Sequence, residues 1–278
     1  MRKGIALLLA GLVLAGVAFA EPIRLTRITH VYGVLPAPND PAKLLIATER
    51  GFFLAGPDGN ADPVSVEGSP LLAFAARADG TLLATAGERQ GTLFSRDGGK
   101  TWARFSPDGQ PGPFLVIDAA PTNPLVAYGV AGGTVYRSGD GGRAWVEASP
   151  APAPVVDIAI AAGTPAAVYL GTARGLFRSD DGGKTWAVAP MEGATRAASM
   201  AATLADGQTY AFLAGTGLVQ LAADGKAWTV LSPPAAFDGA LLHLAARKDG
   251  SLVAVTQYMK LVVSADRGKT WTPYNPPG

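Results

Sequence analysis

The sequence predicts an all-β fold, a six-bladed β-propeller of four-stranded antiparallel blades. One observation is a turn motif that recurs at a nearly fixed interval, most clearly as Ser179-Asp180-Asp181-Gly182-Gly183-Lys184-Thr185-Trp186. All five tryptophans stand at its last position, at residues 102, 145, 186, 228 and 271, so the spacings are 43, 41, 42 and 43 residues. A second observation is that short apolar runs flank each copy. Four short strands in about 40 residues is the size of one propeller blade.

The repeating unit consists of four apolar segments separated by turns rich in glycine and proline. In one unit these segments are 155–160, 167–171, 176–178 and 186–188. Six units fit the chain, and they begin near Ile28, Pro70, Pro113, Pro154, Arg196 and Gly239. The first has a degenerate turn at 56–59 without tryptophan. Six blades that close into a ring leave no long exposed edge, so we expect a single domain over residues 21–278.

The recurring motif has the chemistry of a tight turn between two strands. Its aspartate can accept hydrogen bonds from backbone N–H groups within the turn, and its glycines allow positive φ angles. Its tryptophan places a large ring on the sheet with a polar N–H near the edge. The residues to which we assign this structural role are Asp97, Trp102, Asp140, Trp145, Asp181, Trp186, Asp224, Trp228, Asp266 and Trp271.

These turns resemble the Asp box, or BNR repeat, whose pattern is Ser-x-Asp-x-Gly-x-Thr-Trp. The copies that begin at Ser95, Ser179 and Ser264 match it in full. The copy at Ser138 has Ala144 in place of threonine, and a shortened copy at 223–228 lacks the serine. In the Asp-box family the motif is a structural hairpin. The resemblance therefore implies the propeller fold and makes the box residues poor candidates for catalysis.

The first twenty residues predict a secretory signal peptide. Arg2 and Lys3 precede an uncharged apolar segment at 5–19, and Ala18-Phe19-Ala20 is a small-x-small cleavage site before Glu21. We therefore expect an exported protein, periplasmic or secreted, with no membrane span after signal removal. A retained anchor is the alternative, although the apolar run is short for a spanning helix.

Charge and cysteine content bound the function further. The chain has 23 Lys+Arg against 22 Asp+Glu, and removal of Arg2 and Lys3 makes the balance 21 against 22. A near-neutral chain without a basic stripe does not predict a nucleic-acid partner. The sequence has no cysteine, which excludes disulfides and thiol chemistry.

The order of strands in a blade predicts which rim binds a partner. If strands A to D run outward from the axis, the A–B turns and the Asp boxes share one rim, the Asp-box rim. The B–C turns and the D–A connections share the other, the B–C rim, which is free of structural hairpins. We predict a ligand or partner surface there, formed by Glu49, Arg50, Glu88, Arg89, Arg174, Gln257 and Tyr258. The alternative is that these polar residues simply reflect solvated turns.

The predicted A strands line the channel and carry few polar residues. His30 and His243 are the only histidines, and ring closure makes their blades neighbours. Two imidazoles with Tyr32 or Asp157 nearby could bind a metal, whereas the alternative is that each histidine bonds to backbone or water. Because the sequence has no third histidine and no cysteine, we predict no metal site and no cofactor.

The Asp-box family includes sialidases, which use an arginine cluster, a tyrosine nucleophile with a glutamate, and an acid/base aspartate. Arg50, Arg89, Arg174 and Tyr258 fit that inventory, but B–C turns lie away from the axis. The Arg-Ile-Pro motif of sialidases is absent from residues 23–29. Paired carboxylates at a central position are not evident, because Asp118 and Asp157 appear as single inner-strand residues.

The closer resemblance is to small exported bacterial Asp-box proteins that are called glycosyl-hydrolase-like on their repeats alone, whose start is similar to residues 29–33. A weaker one is to the Asp-box propeller that assists photosystem II assembly, a non-enzymatic scaffold whose basic face has no clear equivalent in this sequence. We therefore predict a non-catalytic binding or scaffold protein of the cell envelope, with an envelope protein or a glycan as its partner. The alternative is a glycoside hydrolase of sialidase type.

Overall fold

A computed structural model confirms the all-β propeller. It describes residues 21–37, 40, 42–64, 71–86, 91–105, 111–163, 166–189, 195–204, 206–222, 224, 226–247 and 249–275. Six antiparallel sheets surround a channel, and their innermost strands contact one another in a closed cycle from the first blade to the sixth and back. The predicted signal peptide lies outside the described residues. Within the described part, no helical segment is long and apolar enough to cross a membrane.

Each blade is formed by one continuous stretch of chain. Blade 1 contains β1 (Ile23–Arg24), β2 (Val31–Pro36), β3 (Leu44–Thr48), β4 (Gly51–Ala55) and β5 (Asn60–Pro63). Blade 2 contains β6 (Leu71–Ala76), β7 (Leu82–Ala86), β8 (Thr92–Ser95) and β9 (Ala103–Arg104). Blade 3 contains β10 (Val116–Ala119), β11 (Ala127–Ala131), β12 (Thr134–Ser138) and β13 (Val146–Pro150).

The remaining blades follow the same order. Blade 4 contains β14 (Val155–Ile160), β15 (Val168–Thr172), β16 (Gly175–Ser179) and β17 (Ala187–Val188). Blade 5 contains β18 (Ala198–Thr203), β19 (Thr209–Leu213), β20 (Gly217–Leu221) and β21 (Trp228–Ser232). Blade 6 contains β22 (Leu241–Ala246), β23 (Leu252–Thr256), β24 (Leu261–Ser264) and β25 (Thr272–Pro273). Two short 3₁₀ turns, Leu25–Arg27 and Pro234–Ala236, lie in connections.

Blade 1 departs from the four strands predicted for every blade. Strand β1 pairs antiparallel with β5, so that Ile23 stands opposite Ala61 and the sheet has five strands. The addition covers the outer edge of this blade, where an unpaired strand would otherwise present its N–H and C=O groups. The chain then crosses the B–C rim to enter β2 near the axis.

The hydrophobic core is made of side chains that pack between neighbouring blades, and it is not gathered at one centre. Six apolar clusters each join residues of two neighbouring blades, including the pair formed by blade 6 and blade 1. The second strand of a blade is therefore buried on both faces, as the continuous burial of β3, β11, β15, β19 and β23 shows. This explains why these strands read as unbroken apolar runs rather than as alternating patterns.

The Asp box has the hydrogen bonds that its sequence predicts. In blade 4, Asp181 Oδ1 accepts Thr185 N at 3.0 Å and Ser179 Oγ at 2.7 Å, and Asp181 Oδ2 accepts Thr185 Oγ1 at 2.6 Å. Gly182 and Gly183 have φ angles of 79° and 86°. The hydrogen bonds from Thr185 hold the pKa of Asp181 well below its usual range. The carboxylate is therefore hydrogen-bonded within its own turn and stabilises it.

The box tryptophans connect each box to the blade before it. Trp186 is half-buried, and its Nε1 donates to Ser149 Oγ of blade 3 at 2.9 Å. The ring of Trp102 stacks on Phe52 of blade 1, with their centroids 4.7 Å apart. The predicted structural role of these residues is thus extended from holding one hairpin to joining two blades.

Candidate functional site

The predicted B–C rim residues that the structure describes lie on turns of three different blades. Arg50 N and Arg174 N each donate to a threonine hydroxyl that ends the preceding strand, at 3.1 Å in both turns. Arg50, Arg174, Gln257 and Tyr258 are exposed, and Tyr258 is 59% exposed. Glu88 and Arg89 lie outside the described residues. The described members thus share a rim, on blades 1, 4 and 6, without forming one pocket.

The carboxylate of Glu49 accepts hydrogen bonds from the segment that precedes β2. It accepts Thr29 N at 3.1 Å, Thr29 Oγ1 at 2.9 Å and His30 N at 3.1 Å. Burial opposes its ionisation, but these hydrogen bonds outweigh that effect and lower the pKa of Glu49. The side chain therefore holds the segment that leads into β2.

The two histidines each have a partner of their own. His30 Nδ1 lies 3.1 Å from Thr29 Oγ1, and its ring stacks on Tyr32. His243 Nε2 lies 3.0 Å from the carbonyl oxygen of Val31, across the seam between blades 6 and 1, and burial lowers the pKa of His243 to about 4. The described residues contain no group of three or more His, Cys, Asp or Glu side chains placed to hold a metal ion.

The channel, a cavity of about 590 Å³, contains two carboxylates that the sequence analysis treated separately. Asp118 Oδ2 accepts Ile160 N of blade 4 at 3.0 Å, and Asp157 Oδ2 accepts Ala201 N of blade 5 at 3.1 Å. Burial raises the pKa of Asp118 to about 7 and that of Asp157 to about 8, and the charge of Asp118 adds to the second rise. The two carboxylates therefore interact electrostatically, and each also bonds to the backbone of the next blade.

A larger concavity, of about 1260 Å³, lies on the Asp-box rim rather than on the predicted B–C rim. We call it the cleft. It is formed by the A–B turns of blades 6, 1 and 2 together with the Asp box of blade 2. Its lining includes the apolar side chains Leu35, Pro36, Leu45, Ala76, Leu82 and Ala246 and the cations Arg96, Lys100 and Arg247.

The acidic residues of the cleft are engaged in their own turns. Asp79 accepts Thr81 N at 3.0 Å and Arg77 Nη2 at 2.9 Å. Asp249 accepts both the N–H and the hydroxyl of Ser251, at 2.9 and 2.6 Å. The third, Asp97, is bound within its Asp box. None of the three forms a described ion pair with a cleft cation, although the charge of Arg247 contributes to the lowered pKa of Asp249. The cleft therefore presents cations and carboxylates together beside apolar surface.

Arg247 shows how the cleft differs from other blade interfaces. Arg77 occupies the same position in the A–B turn of blade 2, with its side chain only 9% exposed, and its Nη1 donates to Gly141 O in the Asp box of blade 3 at 3.3 Å. Blade 1, next to Arg247, has no matching box. The Arg247 guanidinium instead lies over the Tyr274 ring at 5.6 Å, and its buried Nε has no hydrogen-bond partner among the described residues.

Sequence reasoning missed the cleft because it treated the Asp-box rim as purely structural. A signal was present. Arg77-Ala78-Asp79-Gly80-Thr81 and Arg247-Lys248-Asp249-Gly250-Ser251 repeat one turn pattern on the two blades that flank blade 1. With the degenerate turn of blade 1 between them, the repeat indicates an arginine that lacks the acceptor its counterpart has.

A family model described as Photosynthesis system II assembly factor YCF48 matches residues 79–275, from the A–B turn of blade 2 to the end of blade 6. A search of curated proteins finds no match. The match covers every Asp box of the chain, including the shortened copy in blade 5.

Several solved structures have a similar fold at low identity. YCF48 bound to a D1 peptide is 16% identical over 91% of this chain and 84% of that chain, with a TM-score of 0.56. The GH74 enzyme of Niastella koreensis is 18% identical over 90% of this chain but 38% of that one, with a TM-score of 0.62. A putative gluconolactonase is 15% identical over 89% and 91%, with a TM-score of 0.63. At these identities the likeness shows the fold alone.

Proposed function

Because the chain belongs to the YCF48 family of photosystem II assembly factors, we propose that it is a non-catalytic propeller that binds a peptide segment of another protein of the cell envelope. Support for a peptide as the ligand comes from the similar structure, which is YCF48 bound to a D1 peptide. Support for the envelope comes from the predicted signal peptide at 1–20, whose cleavage after Ala20 would leave β1 intact, since β1 begins at Ile23.

The observation that carries the proposal is the cleft. Its apolar floor can bury leucine- or phenylalanine-sized side chains, and the basic side chains of Arg96, Lys100 and Arg247 lie beside that floor. Arg96 lies over the Phe94 ring at 5.4 Å, which places the guanidinium beside apolar surface. Charge-assisted hydrogen bonds to carboxylates are stronger than neutral ones. We therefore assign the cleft to an extended segment that alternates acidic and apolar residues.

The test uses fluorescent decapeptides that combine aspartate or glutamate with leucine or phenylalanine. The double variant Arg96→Gln/Lys100→Gln is expected to bind the best of them about tenfold more weakly, the effect of roughly 1.4 kcal/mol. Its matched control is Lys184→Gln/Lys269→Gln, which removes the same charge from Asp boxes outside the cleft. Failure of the parent to bind any peptide would contradict the function, and equal loss in both variants would contradict the site.

A sialidase-type glycosidase is the second candidate, and the observation that favours it is the pair of channel carboxylates with raised pKa values. Perturbed carboxylates in a cavity are typical of catalytic acids. Both oxygens of each group already accept backbone N–H groups, however, from Ala119 and Ile160 at Asp118 and from Ile158 and Ala201 at Asp157. A screen of aryl glycosides and sialosides distinguishes the two candidates. Turnover that is abolished by Tyr258→Phe would support a glycosidase, and a complete absence of turnover would exclude one.

A further inference from the structure

At the innermost strand of blade 1, the seam between blades 1 and 6 is joined through the backbone of Val31. The N–H of Val31 donates to the thioether sulfur of Met259 at 3.3 Å. The carbonyl oxygen of the same residue lies 3.0 Å from His243 Nε2. Both polar groups of Val31 are thus held by side chains of blade 6. Among the described residues no strand is shared between the first and last blades. The ends of the ring are joined by these contacts, by the Tyr274 hydroxyl, which lies 2.7 Å from Ala42 O and 2.9 Å from Ala55 O, and by apolar packing.

The backbone of Met259 is held in an unusual conformation that brings its side chain to the seam. Its φ angle is 58°, and it is one of two described residues other than glycine with positive φ. The reason is a longer turn. In blade 1, Thr48 pairs directly with Gly51, whereas in blade 6 the turn occupies 256–260, between Val255 and Leu261. A positive φ angle is energetically unfavourable for a residue other than glycine, so contacts around Met259 must hold its backbone in this conformation.

Met259 is also the accessible methionine of the described chain. It is half-buried, packs on the apolar cluster of the seam, and lines a cavity of about 560 Å³ with Leu25, Ile28, Ile46 and Leu261. Met200, by contrast, is 0% exposed. Access governs how readily a thioether is oxidised, so the two methionines should differ strongly in reactivity.

We propose that Met259 is an oxidation site at which a hydroperoxide converts the thioether to a sulfoxide and loosens the closure of the propeller. The sulfur lone pair attacks one peroxide oxygen and forms an S–O bond while the O–O bond breaks. Sulfur loses two electrons, and the proton of the attacked O–H oxygen passes to the departing group, which leaves as water when it is hydroxide or as an alcohol when it is the alkoxide of an organic hydroperoxide. The protein thereby gains one oxygen atom.

The new oxygen changes the seam in two ways. The sulfur that receives the Val31 N–H is now bonded to a polar oxygen, so the hydrogen bond must be broken or displaced. The sulfoxide dipole also faces an apolar cavity wall, where an unsolvated polar group is unfavourable. Because Val31 begins the innermost strand of blade 1, the consequence is a weaker contact between β2 and β22.

The experiment treats the mature protein with hydrogen peroxide and follows each methionine by peptide mass spectrometry. We expect Met259 to gain oxygen about tenfold faster than Met200, because access controls the rate. The melting temperature should fall together with Met259 oxidation, and amide exchange should rise in the peptide that contains Val31. Equal oxidation rates, or a fully oxidised Met259 without a change in melting temperature or exchange, would overturn the proposal.

Two variants separate this site from other effects of peroxide. Met259→Leu keeps the apolar volume, cannot be oxidised and still carries Met191 and Met200. Its melting temperature should not respond to peroxide, and a response equal to that of the parent would contradict the proposal. Met259→Gln places a polar side chain at the same position, and it should melt below Met259→Leu without peroxide. If both variants melt alike, polarity at this position does not weaken the seam.

Discussion

Polar side chains near the axis mostly join neighbouring blades. At five of the six interfaces a side chain of one blade bonds to the backbone of the next, at distances between 2.8 and 3.1 Å: Thr85 to Phe114, Asp118 to Ile160, Asp157 to Ala201, Ser199 to Leu241 and His243 to Val31. Each such bond satisfies a backbone group where two sheets meet at an angle. The channel residues that a sequence suggests as ligands are therefore already occupied within the fold.

His243 makes the seam sensitive to acid. Its pKa is lowered to about 4 in the fold by burial, whereas an unfolded histidine titrates near 6.5. The unfolded chain therefore binds a proton first as the pH falls, and stability contributed by neutral His243 is lost between about 6.5 and 4. In His243→Gln this part of the pH dependence should disappear, a difference on the order of 2 kcal/mol by urea unfolding.

The comparison of pH 7 with pH 4.5 isolates the histidine, because Asp118 and Asp157 change stability in the opposite direction. Their pKa values are raised, so the stability they contribute is present below about 4 and is lost as the pH rises toward about 7 to 8. Both aspartates are present in parent and variant alike. Identical pH profiles for the two proteins would show that His243 does not titrate with unfolding.

At the scale of the element, the Asp-box hairpin was predictable and the cleft was not. The hairpin depends on residues within one turn, so Ser179, Asp181, Gly183 and Thr185 specify it without the rest of the chain. The contact of Arg247 with an aromatic ring, where Arg77 bonds a backbone carbonyl, depends on what blade 1 lacks, and blade 1 is nearly the whole chain away in sequence. The chemistry of one turn can be inferred from its own residues, whereas the partner of Arg247 can be inferred only by also knowing that blade 1 follows blade 6 in the ring.

The box of blade 3 offers a direct measure of one hydrogen bond. In the three complete boxes a threonine hydroxyl donates a hydrogen bond to the second carboxylate oxygen of the aspartate, as Thr270 does to Asp266 at 2.6 Å. Blade 3 has Ala144 at this position, and Asp140 Oδ1 accepts hydrogen bonds from Ser138 Oγ, Arg143 N and Ala144 N. Ala144→Thr should restore the missing bond and raise the free energy of unfolding by about 0.5–1 kcal/mol.

The reverse change, Thr185→Ala in blade 4, is the matched control. It removes the same bond from a complete box and should destabilise the protein by a similar amount, about 0.5–1.5 kcal/mol in urea denaturation. The two effects should have opposite signs. If Ala144→Thr leaves the unfolding midpoint unchanged while Thr185→Ala lowers it, the blade 3 turn holds its aspartate differently from the others.

At the scale of the molecule, blade 1 sets the asymmetry of the ring. It has a fifth strand on its outer edge, it lacks an Asp box, and both of its neighbours contribute A–B turns to the cleft. The repeat spacing predicts six units, and the degenerate turn at 56–59 already distinguishes the first of them, but the spacing does not predict the fifth strand of blade 1. The two proposed features lie where the repeat is broken: the cleft on the Asp-box rim around blade 1, and Met259 on the B–C turn of blade 6 beside it.

We expect the two rims to act independently. The triple variant Arg50→Gln/Arg89→Gln/Arg174→Gln changes the predicted B–C rim surface. Because Arg50 and Arg174 lie exposed on turns, and Arg89 lies on the matching predicted turn of blade 2, stability should stay within about 0.5 kcal/mol of the parent. Capture of partners from envelope extract should weaken, since guanidinium groups are strong handles for carboxylate and phosphate.

Affinity for the acidic decapeptide should be unchanged in this variant, because the cleft lies on the opposite rim. Parent and triple variant are compared in the same extract by pull-down and with the same peptide by fluorescence anisotropy. Capture of every parental partner by the triple variant would exclude the B–C rim as a recognition surface. Loss of peptide affinity in the triple variant would instead show that the peptide reaches the B–C rim, and would contradict its assignment to the cleft.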